Sequence, residues 1–246
     1  MRALCFMFLA ISVNAQAAPL SFQSSEKQTV LLELYTSEGC NSCPPAEVRL
    51  SRLKESPGLW KDFVPVAFHV DYWDYLGWPD PWSSKQYSER QRDYAQTWRS
   101  DSIYTPCFVQ NGAEGVNWAG NAPSSSNRKS GVLTVTLTNT NQWRATFEPF
   151  ASGGNYEVYA ALLAGNLVSD VKAGENRGRR LQHDFVVLKL VNVPMARRGG
   201  ALEAQFALAP DLKNSADIAL AIWVTNLGRP APLQATGGWI YKAASK

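Results

Sequence analysis

The stretch Leu31-Leu32-Glu33-Leu34-Tyr35-Thr36-Ser37-Glu38-Gly39-Cys40-Asn41-Ser42-Cys43-Pro44-Pro45 decides how this chain is read. From Val30 to Tyr35 the residues are almost all apolar without clean alternation, which predicts a short strand buried on both faces. Gly39 supplies a turn before Cys40. Pro44 and Pro45 fit a helix only in its first turn, so a helix is expected to begin at the Cys-x-x-Cys itself. Ala46, Leu50 and Leu53 then share one face, with Arg49, Arg52 and Lys54 elsewhere, and Ser56-Pro57-Gly58 stops the segment. Cysteines three apart at a helix start are close enough for a disulfide. The first of them meets the positive end of the helix, which favours its thiolate.

Working outward, Phe63 to Val70 reads as a second apolar strand ending in His69-Val70-Asp71, which completes a βαβ unit with a right-handed crossover. A strand, a Cys-x-x-Cys, a helix and a strand in that order predict a thioredoxin-like α/β fold. Residues 71–82 form a loop dense in tyrosine, tryptophan and proline. Ser83-x-x-Gln86 has the form of a capping box and opens a helix to about Trp98, with Tyr87, Tyr94 and Trp98 on one side. Tyr104 to Val109 then runs into Asn111-Gly112, a hairpin signal, with Gly115 to Trp118 as the returning strand. Asn121 to Ser130, rich in Ser, Asn and Pro, reads as a linker. Beyond it Leu133, Val135 and Leu137 alternate with threonines. Further strand-like runs fall near 142–147, 156–163, 185–193, 202–208 and 218–224. The expected architecture is therefore a thioredoxin-like domain over 26–120, a linker over 121–130 and a β-rich, sandwich-like domain over 131–246.

The 246 residues, 45% hydrophobic and 18% charged, supply enough apolar material for real cores. A net charge of +3 gives no reason to expect a nucleic-acid partner, and Arg177, Arg179 and Arg180 read as a solvated loop. Arg2, the apolar run from Ala3 to Val13 and Ala15-Gln16-Ala17 have the order of a cleavable leader over residues 1–17. The expectation is an exported protein, periplasmic or secreted, with no stable membrane insertion. Cys5 lies in the leader, leaving Cys40, Cys43 and Cys107, an odd number in an oxidising compartment.

Three segments taken together, Glu33 to Ala46, Phe68 to Trp78 and Tyr104-Thr105-Pro106, resemble a bacterial secreted family known only as a thioredoxin-like domain of unknown function. Gly174-Glu175-Asn176-Arg177-Gly178 and Ala221-Ile222-Trp223-Val224 extend the likeness more weakly into the second half. The resemblance implies a thioredoxin-like domain followed by a β-rich one in an exported protein, and it brings no substrate. It implies too that Pro106 is the cis-proline packed beside the cysteine pair, where Thr105 would offer its backbone to an extended peptide. From the sequence alone, an ordinary proline at a strand start is the simpler reading. Two features depart from the family. No apolar helical segment follows Trp118 to serve as a last helix, and Cys107 stands after Pro106 where Gln or Gly is common.

The chemistry expected is thiol–disulfide exchange on protein or small-molecule thiols and disulfides, with no organic cofactor. Cys40 is the candidate nucleophile and Cys43 the resolving thiol. Pro106 shapes the site, and Thr105, Tyr72, Trp73 and Trp78 are candidate substrate contacts. Glu38, two residues from Cys40, would oppose a thiolate if it points inward. The bland counterpart is a static disulfide, although one that closes so small a loop constrains the unfolded chain little. A second reading is a soft-metal site for copper or zinc built from Cys40, Cys43 and Cys107 or His69. A third is a binding module with a locked disulfide under an aromatic groove. Against these stand an inert buried Cys107 and a His69 satisfied in the core. Tyr72, Trp73, Tyr75, Trp78 and Trp82 fit a groove wall and a satellite core equally.

Overall fold

Runs of β-branched and aromatic residues build a mixed, sheet-rich fold in this computed structural model, which describes residues 19–115, 121–151, 153–209 and 217–243. The leader expected over 1–17 and the end of the returning strand at 116–118 lie outside the described residues. Strands β1 (Ser21–Gln23) and β2 (Val30–Thr36) precede helix α1 (Pro44–Ser51), which runs on as a 3-10 turn over Arg52–Glu55. Next come β3 (Phe63–His69), α2 (Lys85–Trp98) and the hairpin β4 (Cys107–Gln110) and β5 (Ala113–Glu114). The second half is strand after strand: β6 (Gly131–Asn139), β7 (Gln142–Pro149), β8 (Tyr156–Gly165), β9 (Leu167–Asp170) and β10 (Arg180–His183), then β11 (Val186–Pro194), β12 (Ala196–Arg198), β13 (Ala201–Ala207), β14 (Asp217–Asn226) and β15 (Pro232–Tyr241). No helix among the described residues is long and apolar enough to cross a membrane.

The first half follows the sequence reading closely. Every residue of β2 and of β3 is buried, and the two strands run parallel from Val30 opposite Phe63 to Thr36 opposite His69. Ala46, Leu50 and Leu53 are buried as one face. Asn111 and Gly112 take the positive φ angles that a tight hairpin turn requires. The start of α2 is shifted by one residue from the expectation. Its cap is Ser84, whose Oγ accepts from the backbone N–H of Gln86, whereas Ser83 Oγ donates to Asp74.

Eight strands form one sheet in the order β15-β14-β8-β11-β3-β2-β4-β5, so strands from both sides of residues 121–130 hydrogen-bond within it. The junction is narrow: Val186 of β11 pairs with Ala67 of β3, and the Ala67 N–H donates to Phe185 O at 2.8 Å. The 121–130 stretch is itself tied down, with Gln28 N donating to Arg128 O and Ser126 N to Gln28 O. A five-stranded sheet, β1-β6-β7-β13-β12, packs on one face of the β8, β14 and β11 portion of the large sheet. Strand β14 shows why its sequence lacks alternation. Ile218, Leu220, Ile222 and Val224 face the five-stranded sheet, while Ala219, Ala221 and Trp223 face the core that also holds α2.

A buried ion pair fixes α2 on the large sheet. Arg90 donates to Glu33 through Nε at 2.8 Å and Nη2 at 3.1 Å, and Tyr94 and Tyr35 donate to the same carboxylate. The guanidinium lies 5.0–5.8 Å from the ring centres of Phe68, Tyr94, Tyr159 and Trp223. Pairing, hydrogen bonding and ring contact together offset the cost of burying both charges.

Candidate functional site

The C-terminal end of β2 delivers the chain to the cysteine pair. Cys40 and Cys43 are joined in a disulfide with their Cα atoms 5.5 Å apart. Cys40 N donates to Ser37 O, Cys43 N donates to Cys40 O, and Cys43 then caps α1. The helix therefore begins just after the pair and not on it, with Pro44 and Pro45 in its first turn. Cys40 is 1% exposed and Cys43 fully buried, while Asn41 and Ser42 lie open at the surface.

What covers Cys40 comes from far along the chain. The hairpin of β9 and β10 reaches over the cysteine turn with its loop, residues 171–179. Asn176 Nδ2 donates to Glu38 O at 2.8 Å and to Cys40 O at 2.9 Å, and Glu175 accepts from Asn41 N at 3.0 Å. Gly174 takes a positive φ of 74°, a conformation that costs glycine nothing. The weakly matching Gly174 to Gly178 motif is thus a clasp on the Cys-x-x-Cys. On the other side Trp73 closes in: a Cβ on Gly39 would stand 2.9 Å from Trp73 Cβ.

Beneath the pair the same hairpin inserts a charged floor. His183, at the end of β10, is bonded through Nδ1 to Glu47 and through Nε2 to Glu38 at 2.9 Å. Thr36 Oγ1 donates to Glu47 at 2.5 Å, and Trp78 Nε1 donates to Glu38 at 2.6 Å. His69 Nδ1 meets Asp80 Oδ2 at 2.7 Å, and that carboxylate also accepts from Glu38 N at 2.8 Å. The two imidazoles, the only histidines in the chain, lie edge to face at 5.1 Å. All five ionisable groups are buried. Burial alone would push the His183 imidazole down, but its hydrogen bonds to Glu38 and Glu47 push it up to about 10. Burial raises the Glu47 carboxyl, and the His183 hydrogen bond and charge outweigh that and hold it low. Asp80 is likewise held low by His69 and two backbone N–H donors against the effect of burial.

The remaining candidates divide. The Thr105–Pro106 peptide bond is cis, and Cys107 pairs with Tyr35, so Pro106 comes level with Thr36 at the end of the sheet that leads to the cysteines. Thr105 Oγ1 accepts from Trp73 Nε1 at 2.8 Å. Tyr72 and Trp73 pack on one core and Trp82 on the other, Trp78 lines the charged floor through Glu38, and Tyr75 is exposed. The thiol donor set is not assembled. Cys40 and Cys43 are spent on each other, and Cys107 is buried with its Sγ toward Phe108 O. Burial pushes the Cys107 thiol up to about 11. Among the described residues the group with metal-ligand spacing is Glu47, His69 and His183. Glu47 was hidden in the sequence as a polar residue of an amphipathic helix, and His183 as one polar residue in a short strand. The available signal was the scarcity of histidine.

Over residues 31–225 the sequence matches a family described as "Protein of unknown function (DUF1223)". Two solved structures share the fold. One is a crystal structure of a protein from Agrobacterium tumefaciens, 23% identical, with a TM-score of 0.63, covering 91% of this chain and 98% of that one. The other is HBP35 of Porphyromonas gingivalis, 17% identical, with a TM-score of 0.62 and coverage of 91% and 79%. No curated protein matches the sequence.

Proposed function

The chain belongs to the DUF1223 family, and from that premise we propose that it is an exported thiol–disulfide oxidoreductase with a thioredoxin-like β2-α1-β3-α2-β4-β5 unit. Cys40 is the nucleophile. Its thiolate attacks a substrate disulfide, releases one substrate sulfur as a thiol and forms a mixed disulfide. Cys43 then attacks Cys40 Sγ, releases the second substrate thiol and regenerates the internal disulfide, so two electrons pass to the substrate. The reverse sequence oxidises a dithiol. Pro106 and Thr105 border the approach, and protein or small-molecule thiols and disulfides are the partners. The leader-like N-terminus and the disulfide support export.

The observation that carries this reading is the disulfide's position. It closes a loop of only four residues, Cys40 to Cys43, which constrains the unfolded chain by about 2 kcal/mol against ~4.7 for a 100-residue loop. Stability alone does not account for a pair enclosed by Asn176, Glu175 and Trp73 at the end of a parallel strand. Exchange with a model protein disulfide, compared for wild type and Cys40→Ser, tests the proposal. Activity lost in the variant supports it. Equal activity overturns it, and a pair that resists reductant and transfers nothing favours a locked binding module.

A further inference from the structure

Three buried carboxylates and two imidazoles meet under the cysteine pair, and their arrangement is ordered beyond charge balance. Asp80 holds Nδ1 of His69 at 2.7 Å, while His183 has both nitrogens on carboxylates, Nε2 on Glu38 at 2.9 Å and Nδ1 on Glu47. A carboxylate on one ring nitrogen fixes the tautomer and aims the other nitrogen at a cation. Nε2 of His69 is buried without a hydrogen-bond partner, which is uncommon for a buried polar atom and asks for an explanation. Donor atoms of Glu47, His69 and His183 lie within 4.8 Å of one another. A cation with bonds near 2.0–2.1 Å draws such atoms together with small side-chain shifts.

We propose that Glu47, His69 and His183 form a binding site for one borderline divalent cation, zinc or its surrogate cobalt, independent of the disulfide chemistry. His69 contributes Nε2, His183 contributes Nδ1 and Glu47 contributes a carboxylate oxygen, with Asp80 and Glu38 as the orienting groups behind the histidines. Metal ligands bind deprotonated, so the hydrogen bond between His183 Nδ1 and Glu47 gives way as the cation enters. Two nitrogens and one oxygen suit zinc or cobalt, whereas calcium and magnesium want oxygen alone. The cysteines take no part: Cys40 and Cys43 are held in the disulfide, and Cys107 is buried with its Sγ toward Phe108 O.

The test uses oxidised, untagged, chelator-treated protein, loaded with cobalt(II) both in the native state and by refolding in its presence, since the site is buried. The expected result is one cobalt per chain, displaced by zinc, with visible d–d absorption and no sulfur-to-cobalt charge-transfer band. The chain has two histidines, so both imidazoles must show cobalt-shifted proton resonances in the wild type. His69→Gln and Glu47→Gln are expected to lose on the order of 100-fold or more in affinity and Asp80→Asn about 10–100-fold, whereas the double Cys40→Ser, Cys43→Ser protein keeps wild-type affinity. Failure of both loading routes to give stoichiometric cobalt, an unshifted imidazole, or a sulfur band overturns the proposal. The resonance test needs no variant to fold, and because it is read on the oxidised protein, its outcome is separate from that of the exchange assay.

Discussion

Removing the Asn176 side chain isolates the clasp over the cysteines. In Asn176→Ala the carbonyls of Glu38 and Cys40 lose donors at 2.8 and 2.9 Å. Cys40 O keeps its bond from Cys43 N, and the exposed Arg179, which donates to Asn176 Oδ1 at 2.7 Å, turns to water, so the loss across the clasp is two hydrogen bonds. At about 1 kcal/mol each the clasped state is weakened by roughly 2 kcal/mol. If reductant reaches Cys40 through local opening of the 171–179 loop, the reduction rate scales with the opening equilibrium. A weakening of ~2 kcal/mol then speeds reduction on the order of 30-fold, at a factor of ten per ~1.4 kcal/mol. The assay is the pseudo-first-order reduction of the native disulfide by a phosphine, followed by a mass shift on thiol capture. A folded variant reduced within twofold of the wild-type rate would refute the clasp as the barrier. So would a variant whose reduction tracks global unfolding.

Three further outcomes follow from the same geometry. The double Cys40→Ser, Cys43→Ser protein should remain folded and lose about 2 kcal/mol, a fall in Tm of roughly 4–8 °C for a chain of this size; failure to fold would make the disulfide structural. Cys107, with its thiol pushed up to about 11 by burial, should react with iodoacetamide at pH 8 on the order of 200-fold more slowly than a free thiol from its thiolate fraction alone; full labelling of the native protein would contradict this placement. Glu33→Gln leaves Arg90 buried without its carboxylate and is expected to cost about 3–5 kcal/mol, measured by denaturant unfolding; a loss below ~1 kcal/mol would show that the neighbouring rings suffice.

Those features set by neighbours in sequence were legible in the sequence. The buried strand before Cys40, the helix face of Ala46, Leu50 and Leu53, and the Asn111-Gly112 turn all rest on local pattern. Strand β15 lies beyond the last strand-like run, 218–224, and carries Gly237 and Gly238 in its interior. In the fold they are glycines because a Cβ on Gly237 would stand 2.4 Å from Leu220 O and one on Gly238 would stand 2.3 Å from Phe22. Phe22, a lone aromatic in a polar stretch of sequence, stacks on Trp143 from the edge strand β1. The site was half visible. The disulfide, Pro106 and His69 carried motif signals, whereas Asp80 gains its role when the loop after β3 folds back on His69, and Glu47 and His183 only when β10 swings under α1, a contact between residues more than a hundred positions apart.

The eight-stranded sheet has a consequence for how this chain can be divided. Cutting it at 121–130 would leave β3 without β11 and β11 without β3, so each piece would carry a raw apolar strand edge of the kind that recruits strands from other molecules. The first piece would also lose both the lid and the floor of its cysteine site, since loop 171–179 and His183 reside on the second. Selection can therefore move the Cys40–Cys43 half between genes only with its companion attached, and the family match over residues 31–225 spans both halves.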